Sequence, residues 1–167
     1  MNIFIFFPNL ELNAKWFFDQ DFRRANKQIS ESTQMISMAC PTFNHKIPIS
    51  KSGLPYKINS THFNNKCSIW TRSNLSNFYW HKLYVDFLCK EFESRRGKKH
   101  YCEVSLQFLQ VSKPEYLEPI TPIFIGKKDL LFYPHKIIES MSVYEKYKYY
   151  LWNKHFFEKQ TLLTKKK

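Results

Sequence analysis

One long helical pattern in the middle of the chain constrains the fold more than any other feature. Its apolar residues recur at helical spacing: Leu75, Phe78, Val85, Leu88 and Phe92. Ser73 precedes the pattern as a candidate N-cap, and Gly97 follows Arg95 as a residue that can adopt the left-handed conformation ending many helices. The pattern therefore predicts a helix from the Ser73 cap to about Arg95, and with it a mainly α fold.

The same spacing and capping signals predict four further helices. They run from Leu10 to about Phe18 after the cap Asn9, from about Arg23 to Ala39 before Pro41, from about Cys102 to Val111, and from about Ser140 to Lys159. Prolines and Gly53 between Pro41 and Cys67 favour turns or a hairpin. The opening MNIFIFF run indicates a short buried strand or an extended lead-in, too short to cross a membrane and without the features of a signal peptide.

These elements define the predicted fold class and domain organisation. We expect a mainly α, single compact domain of four to six helices, with a short N-terminal strand and, as an option, a small hairpin. The helical domain spans residues 1–160, and residues 161–167 form a basic disordered tail that includes the terminal lysines. A chain of this length can bury a sizeable core, and aromatic residues, at 18% of the sequence, should supply much of it.

Charge and cysteine content limit the classes of function. Lys and Arg number 26 against 14 Asp and Glu, a formal net charge of +12, which makes nucleic acid the default partner. The alternative is a basic protein whose charge serves only solubility. Four scattered cysteines without a CxxC pair predict reduced, packed thiols and no structural metal, and three glycines exclude a glycine-rich phosphate loop. No cofactor is expected.

The second predicted helix carries the sharpest candidate site. Arg24, Lys27, Glu31 and Gln34 are spaced three or four residues apart and so share one stripe, opposite Ile29. Two cations, a carboxylate and an amide could bind phosphate and also move a proton on a sugar or base. The competing interpretation is a solvated helix face held by a Lys27–Glu31 pair.

Two other clusters are candidates for nucleic-acid contact. A basic turn near the end of the long helix contains Arg95, Arg96, Lys98, Lys99 and His100, and phosphate contact is weighed there against compensation of the helix dipole. The last helix mixes aromatic and basic residues: Tyr144, Tyr147, Tyr149, Tyr150, Trp152, Phe156 and Phe157 with Lys146, Lys148 and Lys154. This mixture suits base stacking, although aromatic stripes more often belong to the core.

The order of these pieces resembles a family of small bacteriophage proteins. That family opens with a MNIF-like strand, followed by a helix of the type DKRxNKMIxExxQML, a GxPYK segment and a YRxGKxH segment. The counterparts here are Met1 to Phe4 and Asp21 to Met35, in which Arg23, Arg24, Asn26, Lys27, Ile29, Glu31 and Gln34 match. They continue as Gly53, Pro55, Tyr56, Lys57, His62, Asn64, Trp70, Arg72, Asn77, Trp80, Arg95, Gly97, Lys98 and His100. The resemblance covers most of the first hundred residues and implies action in the cytoplasm of a virus-infected host cell.

More distantly, the strand and the charged elbow of the following helix are similar to the pyrimidine-dimer DNA glycosylase and abasic-lyase family, often called endonuclease V. That family is helical and attacks the sugar C1′ with its N-terminal amine, assisted by a glutamate and arginines. The resemblance implies Met1 as the amine nucleophile, or Lys27 as its substitute, with Glu31 as the acid-base group. The chain departs from the family pattern by placing Arg24 after Arg23, where the family has its catalytic glutamate.

Three functions follow as hypotheses. The first is a phage-type nucleic-acid-binding protein, with DNA as the expected partner and no established catalysis. The second is a base-excision enzyme of the glycosylase and lyase type, and the third is a binder of a host protein such as a defence or transcription factor. The predicted nucleic-acid-binding residues are Arg23, Arg24, Gln34, Lys57, Arg72, Arg95, Arg96, Lys98, Lys99 and His100.

Overall fold

Helices account for nearly all of the regular structure in the protein. A computed structural model describes residues 2–56, 60–116 and 139–164, and their side chains except those of residues 60–61 and 156–164. The helices are α1 (Leu10–Gln20), α2 (Phe22–Ala39), a 3-10 helix (Cys40–Phe43), α3 (Ser60–Phe63), α4 (Lys66–Ser73), α5 (Leu75–Arg96), α6 (Tyr101–Leu106) and α7 (Val143–Thr164). Five of the helices within the described residues have eight residues or more, so the predicted mainly α fold is confirmed.

Short polar side chains and one glycine fix where the helices begin and end. Asn9 accepts a hydrogen bond from the Leu12 N–H at 2.8 Å and starts α1, as its sequence position predicts. Gly97 adopts φ 64° and ends α5, also as predicted. The predicted cap Ser73 was wrong, because Asn74 caps α5 instead.

The core lies between the N-terminal segment, α1, α2, α5 and α7, and aromatic rings fill much of it. Phe6, Phe17 and Tyr147 are fully buried, and Tyr84 is almost so. The Phe6 and Phe17 rings meet edge to face with centroids 5.0 Å apart, a favourable geometry for aromatic pairs. Tyr147 therefore joins α7 to the core, and its part of the aromatic stripe serves packing.

The predicted N-terminal strand is corrected to an extended segment without a strand partner among the described residues. The Phe6 N–H donates to the Asn13 side-chain oxygen at 2.5 Å, and the Tyr84 hydroxyl donates to the Phe4 carbonyl at 2.7 Å. Residues 2–7 thus lie in a groove between helices, where side chains supply the hydrogen bonds that a neighbouring strand would provide.

The predicted turn region holds both a turn and two helices that the sequence did not predict. Ile49 and Pro55 form an isolated antiparallel bridge around Gly53, which has φ 78° and closes the turn. This is the remnant of the predicted hairpin. Helices α3 and α4 follow, and α4 begins where the Asn65 side chain accepts from the Cys67 N–H at 2.9 Å.

The C-terminal helix extends further than predicted. Helix α7 reaches Thr164, so it continues through four residues of the predicted disordered tail, while 165–167 lie outside the described residues. The segment 117–138 also lies outside them. No helix in the described ranges is both long and apolar enough to cross a membrane.

Candidate functional site

The N-terminal segment, the first half of α2 and α7 enclose a pocket that we call the α2 pocket. Its volume is about 360 Å³. Three cations, one carboxylate, two amides and two aromatic rings line it: Arg23, Arg24, Lys27, Glu31, Asn2, Gln28, Phe4 and Tyr150. Charged and aromatic residues share this lining, a composition that suits a ligand with both an anionic and a planar part.

Lys27 and Glu31 form an ion pair at the pocket. Their Nζ and Oε1 atoms are 3.2 Å apart; the Lys27 side chain is 74% exposed and that of Glu31 is 23% exposed. An i, i+4 pair this exposed contributes only ~0.3–0.5 kcal/mol to stability. Lys27 can therefore leave Glu31 for an anionic ligand at little energetic cost.

Asp21 links α2 and α7 next to the pocket. Its side chain caps α2 by accepting from the Arg24 N–H at 2.9 Å, and its Oδ2 accepts from the Arg24 guanidinium at 2.6 Å. His155 of α7 donates through Nε2 to the same oxygen at 2.9 Å. Burial raises the pKa of Asp21, but hydrogen bonds from His155 and Arg24 and the Arg24 charge lower it, and the net pKa lies below its ordinary value.

The effect of this arrangement is positional. A carboxylate that accepts from both α2 and α7 holds α7 across the start of α2. It also orients the Arg24 guanidinium, which lines the α2 pocket. Asp21 therefore shapes the pocket without lining it.

Gln28 fixes the opposite wall. It is only 2% exposed, and its Nε2 donates to the Asn2 carbonyl and to the Ser32 hydroxyl oxygen, both at 2.8 Å. These bonds attach the N-terminal segment to α2 and place Phe4 at the pocket. The Gln28 Oε1 atom is buried without a hydrogen-bond partner among the described residues.

The structure brings together most of the stripe predicted on α2. Arg24, Lys27 and Glu31 line one pocket, joined by Arg23. Gln34 is exposed and lies outside that pocket. Met1, predicted as a nucleophile, and Lys57, predicted as a phosphate contact, lie outside the described residues.

Three residues of the pocket were not among the site residues predicted from the sequence. Asn2, Phe4 and Gln28 are polar or aromatic residues whose spacing carries no signal of a site. Tyr150 did belong to the predicted aromatic and basic mixture of α7. Only the packing of α7 and the N-terminal segment onto α2 brings Asn2, Phe4 and Tyr150 to the charged residues, whereas Gln28 lies on α2 itself.

The residues of the basic turn differ in whether they contact the rest of the protein. Arg95 donates to Glu91 and to Asp19, at 2.6 Å in each case, and to the Lys15 carbonyl at 3.2 Å. It thereby ties the end of α5 to the end of α1, which accounts for its charge without a phosphate. Lys98 is exposed at the same turn and has no such role in the described residues.

The remaining residues of the turn also have structural contacts. The Arg96 guanidinium lies 4.7 Å from the centroid of the Phe22 ring, and Lys99 pairs with Glu103 at 3.0 Å. His100 is 4% exposed and caps α6 by accepting from the Cys102 N–H at 3.1 Å. Burial lowers its pKa, so a buried neutral cap replaces the predicted phosphate contact.

Arg72 also has a structural position. Its guanidinium lies 3.8 Å from the centroid of the Phe63 ring and donates to the Phe63 carbonyl. These contacts join α4 to α3, and burial lowers the pKa of Arg72. A phosphate at this guanidinium would have to compete with both contacts.

No three His, Cys, Asp or Glu residues in the described ranges cluster as metal ligands would. The four cysteines are buried free thiols. Comparisons of the chain with protein-family models, with curated proteins and with solved structures give no match. A functional proposal therefore rests on the chemistry of the α2 pocket.

Proposed function

We propose that the protein binds nucleic acid, with DNA as the expected partner, and that the α2 pocket is its contact site. The observation that carries this proposal is that three cations, Arg23, Arg24 and Lys27, line one pocket together with the aromatic residues Phe4 and Tyr150. Cations at that density suit phosphate oxygens, and an aromatic wall suits a base or sugar.

Glu31 determines where in the pocket a phosphate can lie. Its carboxylate repels phosphate, so a phosphate should lie toward the two arginines. The carboxylate can accept a hydrogen bond from a sugar hydroxyl or a base amino group. A nucleotide unit satisfies both requirements, whereas a simple anion satisfies only the first.

The cellular setting follows from the resemblance to bacteriophage proteins. We propose that the protein acts in the cytoplasm of the virus-infected host cell. The net charge of +12 speeds encounter with any polyanion. A host protein with an acidic surface is the other partner of this kind. Because salt would weaken both complexes, direct binding to purified DNA distinguishes the two.

Affinity for duplex and single-stranded DNA, titrated over a range of salt concentrations, tests the binding function. We expect log K to fall linearly with log salt concentration, with a slope of about −0.9 per phosphate neutralised on duplex. Three pocket cations alone would give a slope of roughly −3. A flat salt response would contradict phosphate contact by the pocket, and the absence of binding to either DNA would contradict nucleic-acid binding and favour the host-protein partner.

A second candidate function is base excision, favoured by the 3.2 Å contact between the Lys27 amine and the Glu31 carboxylate inside the pocket. We propose that the Lys27 amine attacks sugar C1′ and gives a Schiff base, with loss of the base from a nucleotide or of water from an abasic aldehyde. Glu31 takes the proton of the amine and delivers a proton to the leaving group. Borohydride should then trap a covalent adduct on abasic DNA with the wild-type protein. A Lys27→Ala variant should not trap, and a wild-type protein that never traps would exclude this chemistry.

A further inference from the structure

A second pocket lies on the other side of α7, between α7 and α1, and we call it the α1–α7 pocket. Its volume is about 410 Å³, slightly larger than that of the α2 pocket. Aromatic, aliphatic and charged residues line it: Trp16, Gln20, Glu145, Lys148, Tyr149, Leu151, Trp152 and His155. None of these residues belongs to the α2 pocket.

Trp152 is the distinctive residue of this pocket. Its side chain is 60% exposed, although it is among the largest apolar groups in the chain. The rings of Tyr149 and Trp152 are stacked, with centroids 6.0 Å apart and planes 28° from parallel. An indole held by a neighbouring ring and still largely open to solvent presents a flat surface to a planar ligand.

One cation, one carboxylate and a histidine that is bonded to Asp21 lie at this surface, so its charges are mixed. Lys148 lies at the pocket with its ammonium 3.9 Å from the centroid of the Phe7 ring, and His155 lies beside it. The Glu145 carboxylate is engaged in capping α7, because it accepts from the Ser142 N–H and hydroxyl at 2.7 Å. The exposed indole therefore suits a base of a nucleic-acid strand, while the three cations of the α2 pocket suit its phosphates.

The two pockets adjoin along one helix. Tyr150 lines the α2 pocket, while its neighbour Tyr149 lines the α1–α7 pocket. An α-helix with its side chains is roughly 10–12 Å wide, so a strand of a few nucleotides can pass from one pocket to the other. Asp21 lies between them and contacts both Arg24 and His155.

We propose that the α1–α7 pocket is a base-stacking site for unpaired nucleotides, in which a base lies against Trp152 while the neighbouring phosphates reach the α2 pocket. The inference rests on the proposed nucleic-acid binding and adds its substrate class. Bases in a duplex already stack on each other, so only single-stranded or locally unpaired segments can use Trp152. The protein therefore prefers single strands to duplex at equal phosphate number.

A pair of strands separates base stacking from phosphate binding. The affinity of the full chain is to be compared for a thymine oligonucleotide and for a strand of equal length built from tetrahydrofuran abasic analogues. That strand carries the same phosphates without bases and has no aldehyde to form a Schiff base. The wild-type protein should bind the thymine strand about tenfold more tightly, the effect of one stacked base. Trp152→Ala should lose most of this difference, and Phe108→Ala, which removes an aromatic residue that is 83% exposed elsewhere, should retain it.

Tryptophan fluorescence gives an independent readout. The thymine strand should quench the wild-type signal, and Trp152→Phe, which keeps an aromatic ring, should lose most of that quenching. A Trp152→Ala variant that keeps the full preference for the thymine strand would overturn the stacking site. Normal binding of the abasic strand without any preference for bases would overturn the stacking site alone, whereas no binding of either strand would overturn the proposed function as well.

Discussion

Replacing Arg23 and Lys27 together by alanine is expected to weaken DNA binding roughly 100-fold, because each charge-assisted hydrogen bond to a phosphate contributes ~1.5 kcal/mol. Both side chains are exposed and line the α2 pocket. The weakening should affect all sequences alike and should reduce the salt slope by about 0.9 for each phosphate that is no longer neutralised. Titrations at several salt concentrations measure both effects.

The fold should survive this double substitution. Lys27 loses only an exposed pair with Glu31, and surface changes of this kind usually shift stability by no more than ~0.5 kcal/mol. Arg24 is left intact because it also contacts the Asp21 cap. The melting temperature of the double variant should therefore match that of the wild type.

A control must remove the same net charge elsewhere. Lys46 and Lys113 are exposed and lie outside the α2 pocket, so Lys46→Ala with Lys113→Ala lowers the charge equally. Equal decreases of affinity in both double variants would show that general charge, and not the pocket, governs binding. A decrease confined to Lys98→Ala would move the phosphate contact to the exposed part of the basic turn.

Local patterns in the sequence were sufficient to place the charged side of the α2 pocket. Arg24, Lys27 and Glu31 share a face because helical spacing determines their direction. Gln34 shares that direction but lies seven residues beyond Lys27, about 10 Å further along the helix. The N-terminal segment and α7 close the pocket only over the earlier turns, and spacing within one helix contains no information about that closure.

Hydrogen-bond competition explains a second local difference. Ser73 and Asn74 are both suitable caps by residue type. The Ser73 hydroxyl donates to the Trp70 carbonyl at 2.8 Å, while the Asn74 oxygen accepts from the Asn77 N–H at the same distance. Ser73 therefore ends α4, a helix that the sequence interpretation did not include, and the cap of α5 moves by one residue.

Long-range pairing explains why the basic turn was interpreted differently from the sequence. The spacing on α5 allows an Arg95–Glu91 pair, but the contact with Asp19 spans 76 residues. The neighbouring sequence does not reveal that Arg95 ties two helices together through Asp19, whereas Lys98 at the same turn has no such contact in the described residues. The sequence was sufficient to predict a cluster of positive charge at this turn. Only the tertiary structure shows which of these cations contact the rest of the protein.

Asn13→Ala is expected to lower the free energy of unfolding by about 3 kcal/mol, the largest effect on stability that we predict for a single polar side chain. Asn13 is fully buried on α1. Its oxygen accepts from the N–H groups of Phe6 and Phe7, at 2.5 and 3.3 Å, and its Nδ2 donates to the Phe4 carbonyl at 3.4 Å. Alanine would leave these backbone groups of the extended segment without that partner, and an unsatisfied buried group costs ~1–3 kcal/mol.

Leu12→Ala is the matched control, because Leu12 precedes Asn13 on the same helix and is 49% exposed. This substitution should lower the free energy of unfolding by only ~0.5 kcal/mol. Thermal unfolding compares the two variants. The melting temperature of Asn13→Ala should decrease by roughly 6–12 °C, because each kcal/mol lowers it by ~2–4 °C. The N-terminal segment also forms one wall of the α2 pocket through Asn2 and Phe4. Below its melting temperature, the Asn13→Ala variant should therefore bind DNA more weakly than Leu12→Ala, and equal affinity would mean that the wall does not contribute to binding.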